Sequence, residues 1–182
     1  VDASADITDR FFVNAAIRYE NYSDFGDTVD GKLSARYKIT EAIALRGSVG
    51  TGFRAPTPGQ LFTTNVSTRI DADGFPVASG LFPATNPVSV FLGAKPLQPE
   101  KSVNLSAGIT ATLFEMVDVT LDIYQIELSD QFYAATPIAV TPALRAALIA
   151  ANIPGGNTIG QVQFFQNSFD STTQGVDLVA TY

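Results

Sequence analysis

The sequence contains no cysteine, no histidine and no tryptophan. Without cysteine there are no disulfides, no thiolate nucleophile and no thiolate metal site. Without histidine there is no Ser-His-Asp triad and no imidazole metal ligand. Positive charge is scarce too. Eleven Lys and Arg stand against eighteen Asp and Glu, a formal net charge of -7. That balance argues against nucleic acid, whose phosphates need a basic footprint. No apolar run approaches the roughly 20 residues of a transmembrane helix. This last absence leaves a membrane open, because barrel strands need only ~9–11 residues and hide their hydrophobicity in alternation.

What remains is rich in alternation. A hydrophobic content of 46% excludes a disordered tail, and 182 residues suffice for one domain with a core. Val13, Ala15, Ile17 and Tyr19 share one face of a strand, opposite Asn14, Ala16, Arg18 and Glu20. Leu33, Ala35 and Tyr37 oppose Ser34, Arg36 and Lys38. Ile43, Leu45, Gly47 and Val49 oppose Ala44, Arg46, Ser48 and Gly50. The pattern returns at Val103, Leu105, Ala107 and Ile109 against Asn104, Ser106 and Gly108, and again at Val117, Val119, Leu121 and Ile123. It then slips to Tyr124, Ile126 and Leu128, which reads as a bulge or as a strand entering a two-sided environment. Six strands are expected, at about 10–22, 31–38, 43–52, 101–113, 117–128 and 163–182.

The connections are unequal. Ser23-Asp24-Phe25-Gly26-Asp27 is turn chemistry, and 39–42 and 114–116 are short. The stretches 53–100 and 129–162 are long, and the first is dense in proline and glycine. Asp71-Ala72-Asp73-Gly74 suggests a small hairpin within it. The second holds the one expected helix, with Thr141 as cap, Pro142 at the first turn and Pro154-Gly155-Gly156 as the stop. Strands alternate ends, so the longer connections all fall at one rim, as in outer-membrane barrels. A soluble β-sandwich that binds carbohydrate or another ligand explains the alternation equally well.

Two phrases favour the barrel. Arg46-Gly47-Ser48-Val49-Gly50-Thr51-Gly52-Phe53-Arg54-Ala55-Pro56 leads to Gln60-Leu61-Phe62, and Leu97-Gln98-Pro99-Glu100-Lys101-Ser102 opens a later strand. Leu121 to Phe132, Asn167, and Thr173 to Tyr182 follow in order. Together they resemble the C-terminal half of the barrel of TonB-dependent outer-membrane receptors, over nearly the whole chain.

The resemblance implies an all-β antiparallel meander, part of a barrel of about 22 strands. It implies import of a siderophore, haem, cobalamin or glycan across the outer membrane of a Gram-negative bacterium. Energy would come from the TonB complex through a plug domain. No catalysis, cofactor or resident metal is expected. Val1-Asp2-Ala3-Ser4 lacks the features of a secretory signal, and 180–182 read as mid-strand, so an internal piece without plug or TonB box is expected. Its partners would be outer-membrane lipid, a small-molecule or metal-chelate ligand and, through open sheet edges, another copy.

The candidate ligand-binding residues are Phe53, Arg54, Gln60, Phe62, Phe82 and Phe91. Pockets favour aromatics, though loop aromatics also pack a loop on itself. Arg54 reads either as a ligand contact or as a pin for the loop base. Arg18, Arg36 and Arg46 on the polar face read as a basic track for an anion or as partners of acids such as Asp122 and Asp177. Asp71, Asp73 and Gly74 fall short of a calcium loop, which needs more ligands at fixed offsets. Glu127 and Asp130 as a glycosidase pair is a remote reading, since any acidic chain offers two carboxylates.

Overall fold

The alternating segments are strands. In chain order the elements are β1 (Asp2–Thr8), β2 (Phe11–Tyr22), β3 (Gly26–Lys38), β4 (Ile43–Arg54), α1 (Pro58–Phe62), β5 (Asn65–Ile70), β6 (Pro76–Leu81), α2 (Pro87–Phe91), β7 (Glu100–Leu113), β8 (Val117–Ala134), β9 (Ile138–Ala139), α3 (Pro142–Ala150), β10 (Ile159–Gln163) and β11 (Phe165–Thr181). The computed structural model describes residues 1–23, 26–71 and 74–182. Asp24 and Phe25 of the expected turn, and Ala72 and Asp73 of the hairpin and calcium readings, lie outside the described residues.

Seven strands form one sheet in the order β1-β2-β3-β4-β7-β8-β11. Phe11 pairs with Tyr37 and Tyr22 with Gly26, in unbroken antiparallel register between β2 and β3. Lys32 pairs with Gly50 and Lys38 with Ala44 between β3 and β4. The Thr112 amide donates to the Ala42 carbonyl at 2.8 Å where β7 joins β4. Between β7 and β8 the register runs from Lys101–Ser129 to Leu113–Val117 without a shift. Along its pairing with β7 there is thus no bulge at Tyr124. The first departure on β8 is Asp130, in the left-handed region at φ 58°. Tyr124, Ile126 and Leu128 simply continue the Asp122 face of β8, each half-buried.

Because side chains alternate, the sheet has two chemically distinct faces. One carries Ile17, Leu33, Leu45, Leu105, Leu121 and Ile123; Leu33 is 51% and Ile123 54% exposed. Rows exposed to that degree are not the covered interior that a sandwich requires. The soluble-sandwich alternative does not describe this molecule.

The chain divides into two compact units. One comprises Val1–Arg54, Lys101–Ser129 and Asp170–Tyr182, and the other Ala55–Glu100 and Asp130–Phe169. The second unit is where the long connections fold. Its sheet has the order β5-β6-β10-β9. β5 and β6 are antiparallel, from Asn65–Leu81 to Ile70–Pro76, whereas β10 runs parallel to β6. A parallel pair cannot come from a tight hairpin; here it unites two stretches far apart in sequence. Val88, Leu148 and Val162 are fully buried in the core, with Phe82, Ile159 and Phe164 around them. The stretch expected to be irregular therefore contributes α1, β5, β6 and α2, and the expected single helix has two short companions.

Candidate functional site

The polar face of the large sheet is ordered by its register. Asp122 stands directly opposite Gly108 on β7. Its carboxylate crosses over that glycine to the next strand and takes Arg46 in a bidentate grip, with Nε at 2.9 Å from Oδ1 and Nη2 on Oδ2. A Cβ at position 108 would collide with the Asp122 carboxylate, so the ion pair exists only because residue 108 has no side chain. Gly175 plays the same part for the Tyr124 ring, which occupies the space a Cβ would need. Beside the ion pair the Ser48 and Ser106 hydroxyls share a hydrogen bond of 2.8 Å.

The three arginines of this face do not make an open basic track. Arg46 is held by Asp122. Arg18 pairs with Glu20, which also accepts from the Tyr22 hydroxyl at 3.1 Å. Arg36 lies over the Phe12 ring, 5.8 Å from its centroid, and no carboxylate pairs with it among the described residues. Asp177 pairs with none of the three.

The six candidate ligand contacts fall into different settings. Phe53 and Arg54 end β4 in the first unit. Phe53 packs edge-on against Tyr22, with ring centroids 5.8 Å apart at 70°. Arg54 is exposed. The other four lie in the second unit. Gln60 closes a capping box on α1: its Oε1 accepts from the Thr57 amide at 2.9 Å, while Thr57 Oγ1 accepts from the Gln60 amide at 3.3 Å. Phe82 is only 6% exposed and belongs to the core. Phe62 and Phe91, which end α1 and α2, are 67% and 41% exposed. Phe82 and the Gln60 oxygen thus have structural partners, and Phe62 and Phe91 present free aromatic surface.

Other functional-looking residues have a clear structural role that spacing alone does not reveal. Asn167 acts as a three-way clamp. Its Oδ1 accepts from the Gln98 amide at 2.9 Å, and its Nδ2 donates to the carbonyls of Gln98 (2.8 Å) and Asp130 (2.5 Å). The Glu100 carboxylate, 7% exposed, accepts from the Phe132 amide at 2.7 Å. Asp71 accepts from the Phe75 amide at 2.9 Å and from Arg145 Nη1 of α3 at 2.8 Å. Apart from the local Asp71–Phe75 bond, these contacts join residues 32 to 74 positions apart, so only folding brings them together.

An antiparallel meander with one uncovered aliphatic face, one polar face and long connections folded as a unit is a segment of the wall of a transmembrane-type β-barrel. No helix among the described residues is long and apolar enough to cross a membrane, which says nothing of strands. The chain belongs to the family described as TonB dependent receptor-like, beta-barrel, whose model matches residues 1–182.

Its backbone is similar to the siderophore receptor PirA from Pseudomonas aeruginosa, with TM-score 0.67 and 14% identity over 97% of this chain and 29% of that one. PirA from Acinetobacter baumannii gives TM-score 0.69 and 19% identity, over 98% of this chain and 24% of the other. The ferric enterobactin receptor PfeA from Pseudomonas aeruginosa, in complex with enterobactin, gives 0.68 and 14% over 96% and 23%. The chain therefore spans less than a third of the length of these structures. No curated protein matches it in sequence.

Proposed function

We propose that this chain is the wall and outer-loop part of an outer-membrane receptor that imports a ligand with energy delivered through TonB. Of the classes the family suggests (siderophore, haem, cobalamin or glycan) we favour a ferric siderophore, because the similar structures named above are siderophore and ferric enterobactin receptors. No bond chemistry is assigned to it.

The observation that carries this reading is the uncovered aliphatic face. On β7 the row from Val103 to Leu113 takes ten residue steps, roughly 33 Å at about 3.3 Å each. A strand tilted by ~40° converts that length to about 25 Å of height, the thickness of the apolar band of outer-membrane barrels. Aromatic rings lie towards its two ends. Tyr37 meets Phe11 edge-on at 6.4 Å near the short turns, and Tyr19 is 63% exposed near the other end. We assign ligand contact to Phe62 and Phe91 of the second unit, whose rings are exposed.

The reading is tested by fractionating cells that make the protein and by running the product unheated and heated on a detergent gel. Recovery with the outer membrane and a heat-dependent shift in migration are expected. Recovery in the soluble fraction without detergent overturns the assignment. For the ligand, ferric enterobactin is added to detergent-solubilised protein and tyrosine fluorescence is followed, since there is no tryptophan to obscure it. Quenching that saturates, and weakens about tenfold in a Phe62→Ala, Phe91→Ala double variant, supports the siderophore reading. Saturation by haem or cyanocobalamin alone replaces it.

A further inference from the structure

We propose that Asp130, Asn167 and Glu100 form a latch: two side chains hold a left-handed kink near the end of β8, and its release frees the adjoining ends of both long connections together. The kink follows the last rung between β7 and β8, which is Lys101–Ser129. Asp130 comes next, at φ 58°. A side chain makes that conformation unfavourable, though Asp tolerates it better than most residues. A single left-handed residue in a strand turns the chain beyond it out of the ladder. Such strain persists only where the surroundings fix it.

Here the fixing is done by side chains that stand in for a neighbouring strand. The Asn167 amide carries a donor and an acceptor side by side, as a strand backbone does. Both meet the backbone of Gln98: Oδ1 accepts from its amide at 2.9 Å, and Nδ2 donates to its carbonyl at 2.8 Å. Pro99 follows Gln98 and favours an extended backbone there, which offers both groups to such a partner. The same Nδ2 donates to the Asp130 carbonyl at 2.5 Å. One side chain therefore ties the kink to the end of the first connection. Two residues past the kink, the Phe132 amide donates to the Glu100 carboxylate at 2.7 Å. Beyond Ser129 a side chain thus supplies the acceptor that the backbone of β7 supplied before it. Glu100 is only 7% exposed, and a carboxylate so buried is kept there by its donors. The parts come from three stretches, 98–100, 130–132 and 167, all within the second unit. Each bond restrains the same kink, so the loss of one loosens the other.

The test is hydrogen exchange of the detergent-solubilised full chain, resolved to single amides. Asn167→Ala is expected to speed exchange of the Phe132 amide about tenfold, although Asn167 does not touch it. Glu100→Ala is expected to speed the Gln98 amide by a similar factor. Glu100→Gln keeps an acceptor oxygen and should stay within about threefold of the parent at Phe132. The strain is read without touching either holding side chain, by comparing Asp130→Ala with Asp130→Gly. Both remove the carboxylate, and only glycine accepts the left-handed conformation freely. The alanine variant should exchange about fivefold faster at Phe132 than the glycine variant. In all of these the Leu148 and Val162 amides of the core should keep the parent rate, since the latch opens without unfolding the unit. Acceleration confined to the amide whose own acceptor was removed overturns the proposal. So does equal exchange in Asp130→Ala and Asp130→Gly. So does acceleration of Leu148 and Val162 by as much as Phe132, which would mean that the whole unit opens and no separate latch exists.

Discussion

Gly108 shows how a missing side chain can position a charge. The Asp122 carboxylate reaches Arg46 two strands away only because β7 presents no Cβ between them. Gly108→Ala is expected to lower the thermal midpoint in detergent more than Gly31→Ala, whose added Cβ would meet only the Ala16 carbonyl at an ordinary 3.8 Å. In an Asp122→Ala background the difference between the two glycine variants should shrink, a non-additivity that identifies the shared space. Equal shifts in both backgrounds would remove this role for Gly108.

A second residue-scale case is Asp71 with Arg145, whose side chains are 14% and 20% exposed. Removing either the carboxylate or the guanidinium takes a charge-assisted hydrogen bond from a largely buried partner, at a cost of about 1–3 kcal/mol. The Asp71→Ala, Arg145→Ala double variant should cost less than the sum, as read by denaturant titration. In sequence Asp71 reads as part of a turn and Arg145 as one residue of a helix. Nothing local in either neighbourhood announces a partner 74 positions away.

At the scale of elements, the helix ends carry the clearest physics. The sequence predicts Thr141 as the cap of α3 and Pro142 at its start, and Thr141 Oγ1 accepts from the Leu144 amide at 3.3 Å. The stop differs from the expected Pro154-Gly155-Gly156. Asn152, left-handed at φ 52°, ends the helix first. The Ile153 amide donates to Leu148 O at 3.0 Å and the Asn152 amide to Ile149 O at 2.9 Å, the two bonds of a Schellman close. Asn152→Val should therefore cost about 1–2 kcal/mol, because a β-branched residue resists that conformation; a neutral result by thermal unfolding would count against it.

The start of α1 is legible in the sequence. Thr57-Pro58-Gly59-Gln60 is a capping box in sequence, overshadowed by the density of proline around it. Strands were the easier elements, since a two-residue period over ten or more residues has few competing explanations. The position of Phe82 was not legible, because an aromatic in a long connection looks the same in sequence whether it ends in a core or in solvent.

For the whole molecule, the second unit joins stretches from two different connections through one core and the parallel β6–β10 pair. They are thus expected to unfold together. Leu148→Ala removes a fully buried side chain from that core and should cost about 2–5 kcal/mol. Hydrogen exchange should then accelerate in 76–91 as well as in 138–163, although the substitution lies in the second stretch alone. Acceleration confined to 138–163 would mean that the two stretches open independently.

By itself the sequence determined the alternation, the two-faced sheet and the inequality of the connections, because these follow from side-chain period and turn chemistry along a local stretch. Only the tertiary structure decided which arginine is neutralised, which phenylalanine is core and how the long connections join. Those outcomes depend on strand order and register, which set neighbours across dozens of residues and leave no mark on any one segment.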